Sequence, residues 1–265
     1  MIRALRGRMR GVPLLLAAIL LWEALPRLGV LDPVFLPPFD RVAVRAGKLL
    51  TSGELPLHAA VSLLRVLAGF ALASLVSIPL GIGLGLRPGL RERVDLFLAM
   101  LRPISPPAWI PLAILWFGIG DRPAVFIIFM GTVLAMLVGV LAAAQGVDQR
   151  LIKAGFTLGA TRPQAVWLIV LPGLLPAIFA QLRVGLGLAW MCVIAAEMVA
   201  VRQGLGYLMI QARNLFQTDT VLVGMATVGV MGWLLDLGLR RMERRVLRWR
   251  EGLEAHELFD RGGDR

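Results

Sequence analysis

The stretch DQRLIKAGFTLGATRPQAVWLIVLP, residues 148–172, is polar and punctuated, although long apolar segments flank it on both sides. Asp148 is expected to cap a short helix, because its carboxylate can accept from free backbone N–H groups. Gly159 is expected to end that helix, because glycine adopts a positive φ without steric cost. Thr161-Arg162-Pro163-Gln164 has the form of a capping box and predicts a second helix. The pattern therefore predicts helix, tight turn, helix between two membrane spans, a compact surface suited to contact with another protein.

The composition predicts an all-α, polytopic membrane protein. The chain has 265 residues, of which 58% are hydrophobic, and its mean hydropathy is +0.77. Soluble domains average about 45–50% apolar residues. The net charge of +11 comes almost entirely from arginines beside apolar segments, which favours a role in membrane topology over nucleic-acid binding. The single cysteine, Cys192, excludes a disulfide within the chain.

About six membrane spans are predicted, taking about 20 mainly apolar residues as the requirement for each. They cover residues 12–25, 59–86, 94–117, 124–144, 174–200 and 220–239. The first segment has a signal peptide as its alternative, but Trp22-Glu23 stands where a small-residue cleavage site would be needed. The expected division is a tail at 1–11, a transmembrane domain at 12–250 and a second tail at 251–265.

The basic residues predict the orientation of the chain. If the N-terminus is cytoplasmic, the inner segments hold more than twice as many Lys and Arg residues as the outer ones. Cytoplasmic loops carry such an excess. We therefore expect both termini and the segment 148–172 to lie in the cytoplasm. The proline-rich segment 27–58 then lies outside, where its helical pattern predicts an amphipathic helix.

The third predicted span is interrupted by Arg102-Pro103 and Pro106-Pro107. Proline pairs break backbone hydrogen bonding, so a broken or kinked span is expected, which membranes tolerate where protein or a water-filled cavity covers the backbone. Candidate residues of a translocation pathway are Arg102, Pro103, Pro107, Arg183 and Glu197. Arg102 is interpreted either as an anion contact or as an interfacial arginine. Arg183 lies about 21 Å from Glu197 along a straight helix, so its carboxylate partner would have to lie elsewhere.

Two glycines in the second predicted span also allow two interpretations. Gly81-x-x-x-Gly85 offers a face of small residues for close helix packing. The same glycines, together with Pro79, are equally consistent with a simple bend in the helix.

Motifs for catalysis are missing from the sequence. No Walker A loop occurs, so ATP hydrolysis is expected on a separate chain. The two histidines, His58 and His256, lie outside any H-E-x-x-H pattern, and no G-x-S-x-G elbow is present. We expect neither an enzyme, nor a metal site, nor a cofactor.

The segment 148–172 resembles the EAA loop of permeases from ATP-binding-cassette (ABC) importers. That pattern is Glu-Ala-Ala, three residues, Gly, nine residues, Ile-x-Leu-Pro, and Lys153-Ala154-Gly155, Gly159 and Ile169-Val170-Leu171-Pro172 match its spacing. Lys153 replaces the glutamate, and Gly155 replaces the second alanine. The similarity extends over residues 36–250. The stretches SLLRVLAGF, LRPISPPAWIPLAILWFGIG, LRVGLGLAWMCVIAAEMVA and GLGYLMIQARN are similar to the sulfonate, taurine and nitrate branch of that family.

The resemblance implies an inner-membrane permease that forms a path for a small solute, an organic sulfonate, taurine or a nitrate-like anion. Its implied partners are a cytoplasmic ATPase, an outer solute-binding protein, a second permease copy and the lipid bilayer. The residues implied in ATPase coupling are Lys153, Ala154, Gly155, Gly159, Ala160, Ile169, Leu171 and Pro172. Alternative functions are an ABC permease for a different solute and an ion-driven secondary transporter. The second is disfavoured because the halves show no convincing repeat and few charges lie within the spans.

Overall fold

The computed structural model describes residues 12–248, and within them it contains helices and turns but no strand. The helices are α1 (Val12–Arg27), α2 (Phe39–Thr51), α3 (Glu54–Gly85), α4 (Pro88–Leu101), α5 (Ile110–Phe117), α6 (Asp121–Gln145), α7 (Gln149–Thr157), α8 (Arg162–Ala165), α9 (Leu171–Glu197), α10 (Leu205–Asn214) and α11 (Thr218–Val246). A 3₁₀ turn precedes α5, and a π-helical turn joins α8 to α9. The predicted tails at 1–11 and 251–265 lie outside the described residues.

The described residues provide four helices that are long and apolar enough to cross a membrane, or five when one bent pair counts as a span. These are α3, α6, the run from α8 through α9, α11, and the pair α4–α5. The sequence predicted about six. The difference lies in α1, which has 16 residues in the described part, fewer than the roughly 20 that a span requires.

The centre of the bundle is built from α3, α6 and α9, and small residues let α3 approach α6 closely. A Cβ on Gly81 would lie 2.8 Å from the Cβ of Val140, and one on Gly85 would lie 2.5 Å from the Cβ of Ala144. Both glycines therefore serve close packing, the first of the two interpretations offered above. Pro79 is accommodated within α3, which continues to Gly85.

The predicted break in the third span is confirmed, since α4 and α5 meet at an angle of 86°. The chain at this break packs against α6 and α9. A Cβ added to Gly131 of α6 would meet both Pro106 and the sulfur of Cys192 on α9. The interrupted backbone is thus covered by protein on that side, which is the condition under which membranes tolerate it.

Two shorter helices lie at the opposite end of the bundle from segment 148–172. The amphipathic pattern in 27–58 becomes α2, which buries Val42 and Leu49. Its Arg45 donates from Nε to the Thr220 hydroxyl at the start of α11, at 2.8 Å. The second is α10, in the connection between the last two spans.

Candidate functional site

Segment 148–172 folds as the local sequence predicts. Asp148 caps α7 by accepting from the backbone N–H of Arg150 at 2.8 Å. At the other end of α7, Gly159 has a φ of +87° and donates from its N–H to the Phe156 carbonyl. The next N–H, that of Ala160, reaches back to the Gly155 carbonyl at 3.0 Å. This pair of hydrogen bonds is a Schellman motif, which satisfies carbonyls that the end of a helix leaves free.

The second half of the segment leads directly into a membrane helix. The backbone N–H of Thr161 donates to Gln164 Oε1 at 2.8 Å, in the arrangement of a capping box. The chain then passes from α8 through the π-helical turn Val166–Val170 into α9 without a loop. Turns of this kind are rare and are often found at functional sites. The backbone from α8 to the end of α9 is therefore one continuous helical run.

Segment 148–172 buries some of its residues against the bundle and exposes others. Gly155 is buried, and a Cβ added there would lie 2.5 Å from Ile169 Cδ1. Glycine at this position permits close contact between α7 and the π-helical turn, so these two residues of the predicted coupling set lie together. Lys153 and Ala154 face outward, and Leu158 at the turn is 88% exposed.

A buried polar cluster lies at the far end of the same helices, and the sequence analysis did not predict it. We call Ser62, Arg65, Asp121 and Glu197 the Arg65–Glu197 cluster. Glu197 is fully buried, and it accepts from Arg65 Nη1 and from the Ser62 hydroxyl, both at 2.8 Å. Arg65 is 6% exposed and also donates to the exposed Asp121 carboxylate at 2.6 Å. The cluster joins α3, α6 and α9 through charge-assisted hydrogen bonds.

Two glycines complete the surroundings of Glu197. The backbone N–H of Gly206 donates to its Oε2 at 2.9 Å, and that of Gly204 donates to His58 Nδ1 at 2.9 Å. A Cβ on Gly204, whose φ is +123°, would collide with the Glu197 carboxylate, and one on Gly206 would lie 2.7 Å from Glu197 Cβ. Glycine at both positions lets the backbone pass close to the buried Glu197 carboxylate, to which the Gly206 N–H donates directly. The spacing Gly204-Leu205-Gly206 was the one local signal of this arrangement in the sequence.

Comparison with known proteins identifies the family of a chain with this fold and these two sites. Residues 77–248 match the model of the binding-protein-dependent transport system inner membrane component. The chain belongs to this permease family. It is therefore a membrane-embedded permease subunit of the ABC-importer class, as the sequence resemblance implied.

Two relatives share most of their length with this permease. The taurine transport system permease protein TauC of Escherichia coli (strain K12) is 37% identical over 236 residues, which cover 86% of this chain and 85% of the relative. The putative aliphatic sulfonates transport permease protein SsuC of Bacillus subtilis (strain 168) is 32% identical over 253 residues, covering 94% and 90%. An inward-facing structure of the MetNI methionine ABC transporter shares the fold, with a TM-score of 0.59 at 22% identity over 71% of this chain and 94% of that one.

The candidate pathway residues of the permease fall in different environments. Arg102, Pro103 and Pro107 are exposed at the break between α4 and α5. Arg183 of α9 forms an ion pair with Glu243 of α11, so its partner does lie elsewhere in the chain. Asp236 of α11 is a second carboxylate near it, with an oxygen 4.0 Å from its Nε.

Glu197 is the candidate whose position differs most from the sequence expectation. It was expected to line a pathway, but its side chain is enclosed and faces Arg65, Ser62 and the Gly206 backbone instead of an open channel. The physical reason is that an unpaired carboxylate inside the bundle would be costly, whereas a paired one can join helices. In this structure Glu197 therefore takes a structural position.

Proposed function

We propose that this permease imports a small organic sulfonate, with taurine as the first candidate, and that segment 148–172 couples it to a separate ATPase. The observation that carries the coupling proposal is the capped helix-turn-helix, which exposes its own side chains yet continues into α9. A simple connection between two spans needs neither a Schellman motif nor a capping box. A rigid projection of this kind suits docking into another subunit.

Energy would enter through contacts that differ between two states of the transporter. Closure of a pair of ATPases would draw two such projections together, and each would carry its α9 with it as a rigid body. Lys153, Ala154 and Leu158 form the outward surface for this contact. Gly155, Gly159, Ala160 and Ile169 would hold its shape, while Leu171 and Pro172 begin the helix that it moves.

Lys153 gives the docking surface a positive charge where the family pattern has a glutamate. Its side chain is exposed, and no carboxylate within residues 12–248 forms an ion pair with it. We expect the partner ATPase to present a carboxylate at this position. A charge pair of this kind would contribute more to partner choice than to affinity.

Two observations support the substrate class: the substrates for which the relatives are named, and the positive charge of an exposed arginine at the broken span. The two relatives described above are named for taurine and for aliphatic sulfonates, both of which carry an anionic sulfonate group. The exposed Arg102 at the broken span is available to an anion, and nitrate is the alternative solute of similar charge. The complete importer would contain two copies of this chain, an outer binding protein and the ATPase. It would sit in the inner membrane with both termini in the cytoplasm.

The docking role is tested with Gly159→Val, since a β-branched residue is strained at a φ of +87°. Space is not the limitation, because no atom lies within 4 Å of the position that a Cβ would take at this glycine. We expect the variant to insert into the membrane normally but to lose at least tenfold of the ATPase that co-purifies. Gly89→Val is the matched control, because Gly89 is also unobstructed but lacks a positive φ. Unchanged co-purification of the ATPase with Gly159→Val would refute the docking role.

Substrate identity needs transport by the reconstituted importer. Proteoliposomes containing the permease, its ATPase and its binding protein should accumulate labelled taurine only when ATP is supplied. Parallel measurements with an alkanesulfonate and with nitrate define the substrate range. Uptake of taurine that persists without ATP would refute the importer mechanism, and uptake of nitrate alone would refute the sulfonate assignment.

A further inference from the structure

A groove of about 880 Å³ separates the last turns of α3 from segment 148–172, and neither the coupling role nor the pathway uses it. Its walls are mainly apolar, with Ile78, Ile82 and Leu86 on the α3 side and Ile152, Val166 and Val170 on the other. The volume falls within the range of about 300–1,000 Å³ that is typical of ligand sites. The groove is therefore large enough for a ligand with a substantial apolar part.

Two arginines from different parts of the chain line this apolar groove. Arg87 directly follows the last turn of α3, and Arg162 is the first residue of α8. Both are exposed, and within residues 12–248 neither is found in an ion pair with a carboxylate. Guanidinium groups bind phosphate oxygens through paired N–H donors. The charge of the groove thus favours an anion, while its walls favour a hydrocarbon chain.

The position of the groove in the bundle indicates which kind of ligand carries both an anionic group and a hydrocarbon chain. It opens where a membrane-spanning helix ends, and Trp167 on its rim is 68% exposed. Tryptophan and arginine are residues of the membrane–water interface. A basic pocket between helices at this level is suited to a lipid head group. We propose that the groove binds an anionic phospholipid of the surrounding bilayer, with its phosphate at Arg87 and Arg162 and an acyl chain along the apolar walls.

A lipid held in this way would connect the two parts of the permease that must move relative to each other. Arg87 lies in the short connection between α3 and α4, whereas Arg162 begins the helix that leads into α9. A phosphate bound to both arginines would fix the coupling segment against α3. This inference requires only that the chain spans a membrane, so it stands or falls independently of the ATPase contact tested with Gly159→Val.

The head-group contact is tested with the double variant Arg87→Gln/Arg162→Gln. The full-length permease is extracted from membranes that contain phosphatidylglycerol and phosphatidylethanolamine, and retained lipid is counted by native mass spectrometry. The wild type should retain phosphatidylglycerol in preference, and the double variant should retain at least tenfold less. Arg93→Gln/Arg150→Gln is the matched control, because both arginines are exposed in neighbouring helices but do not line the groove.

The acyl-chain contact is tested separately with Gly83→Leu. Gly83 lines the groove, and a Cβ there would have no atom within 4 Å, so leucine fills the groove without a clash in the helix. We expect this variant to lose the bound phosphatidylglycerol while it keeps its oligomeric state. Gly89→Leu, an equally unobstructed position outside the groove, should leave lipid retention unchanged.

Four results would overturn the proposal. Equal retention of phosphatidylethanolamine, or equal retention by the double arginine variant, would remove the role of the two guanidinium groups. Displacement of phosphatidylglycerol by inorganic phosphate alone would identify a site for a free anion. Dissociation of the permease oligomer by Gly83→Leu, with lipid retention unchanged, would show that a second copy of the chain occupies the groove.

Discussion

The Arg65–Glu197 cluster provides the sharpest prediction about the stability of this permease. Replacing Arg65 with methionine keeps a long apolar stem in place but removes the charged donors. Glu197 would then remain fully buried, with the Ser62 hydroxyl and the Gly206 N–H as its remaining hydrogen-bond donors. Neutral donors compensate a buried carboxylate less well than a guanidinium does.

The expected magnitude follows from the burial of each carboxylate that Arg65 contacts. Removing one partner of a buried ion pair costs about 3–5 kcal/mol, because the other charge stays buried without compensation. This applies to Glu197, whereas Asp121 is 74% exposed, and an exposed pair contributes only about 0–1 kcal/mol. Arg65→Met should therefore lower the free energy of unfolding by about 3–5 kcal/mol. Asp121→Asn, which removes only the exposed carboxylate charge, should lower it by less than about 1 kcal/mol.

The assay is equilibrium unfolding of the full-length permease in mixed micelles with increasing mole fraction of dodecyl sulfate. The single variant Glu197→Gln and the double variant Arg65→Met/Glu197→Gln complete a double-mutant cycle, because the double variant removes both charges of the buried pair. We expect it to be more stable than Arg65→Met alone, since the uncompensated carboxylate is gone. Asp121→Asn serves as the control for general effects at this end of the bundle.

Two outcomes would refute this reasoning. If Arg65→Met and Asp121→Asn destabilise the permease equally, the buried pair contributes no more than the exposed one. If the double variant shows the sum of the two single effects, Arg65 and Glu197 do not act as a pair.

Three further predictions concern particular positions. Gly204→Ala should lower the free energy of unfolding by about 1–3 kcal/mol, because the position has a φ of +123° and its Cβ would meet the Glu197 carboxylate. Gly47→Ala is the control, because a Cβ there lies in open space and should not destabilise the permease. Unfolding in mixed micelles compares the two variants. Gly85→Leu should lower the free energy of unfolding by about 1–3 kcal/mol, because the leucine would overpack against Ala144. Gly83→Leu, two residues earlier in α3, is its control in the same assay. Arg183→Gln should change stability by no more than about 1 kcal/mol, because its ion pairs are partly exposed; a larger loss in that titration would contradict this.

The coupling segment was predictable from the sequence because its structure depends on neighbouring residues. A helix cap, a Schellman motif and a capping box each involve residues within about five positions of one another. Asp148, Gly159 and Thr161 therefore carry the necessary information locally, and all three do in the structure what the sequence indicated. The proline pairs around Pro106 gave the broken span in the same way.

The Arg65–Glu197 cluster was not predictable because its members come from distant parts of the chain. Arg65 and Glu197 are 132 positions apart, and each by itself has the pattern of a single charge near the end of a span. Hydrophobic periodicity shows that such a residue lies in a helix, but it does not identify the residue on another helix that will face it. The first predicted span falls on α1, whose 16 residues within the described part of the chain are fewer than the roughly 20 that a span requires.

The two sites together explain how a movement at one end of the permease would be constrained at the other. Helix α9 begins at the coupling segment and ends at Glu197, and its 27 residues correspond to a length of about 40 Å. The Arg65–Glu197 cluster joins its far end to α3 and α6 by charged side chains, whereas its near end packs through apolar side chains, with Leu174 and Ile178 buried beside Ala144 of α6. We therefore expect a force on α8 to displace the near end of α9 more than its far end, because apolar contacts resist a shift less than charge-assisted hydrogen bonds do. The π-helical turn at 166–170 lies where that displacement would begin, next to the proposed ATPase, and the charged cluster lies at the opposite end of the helix.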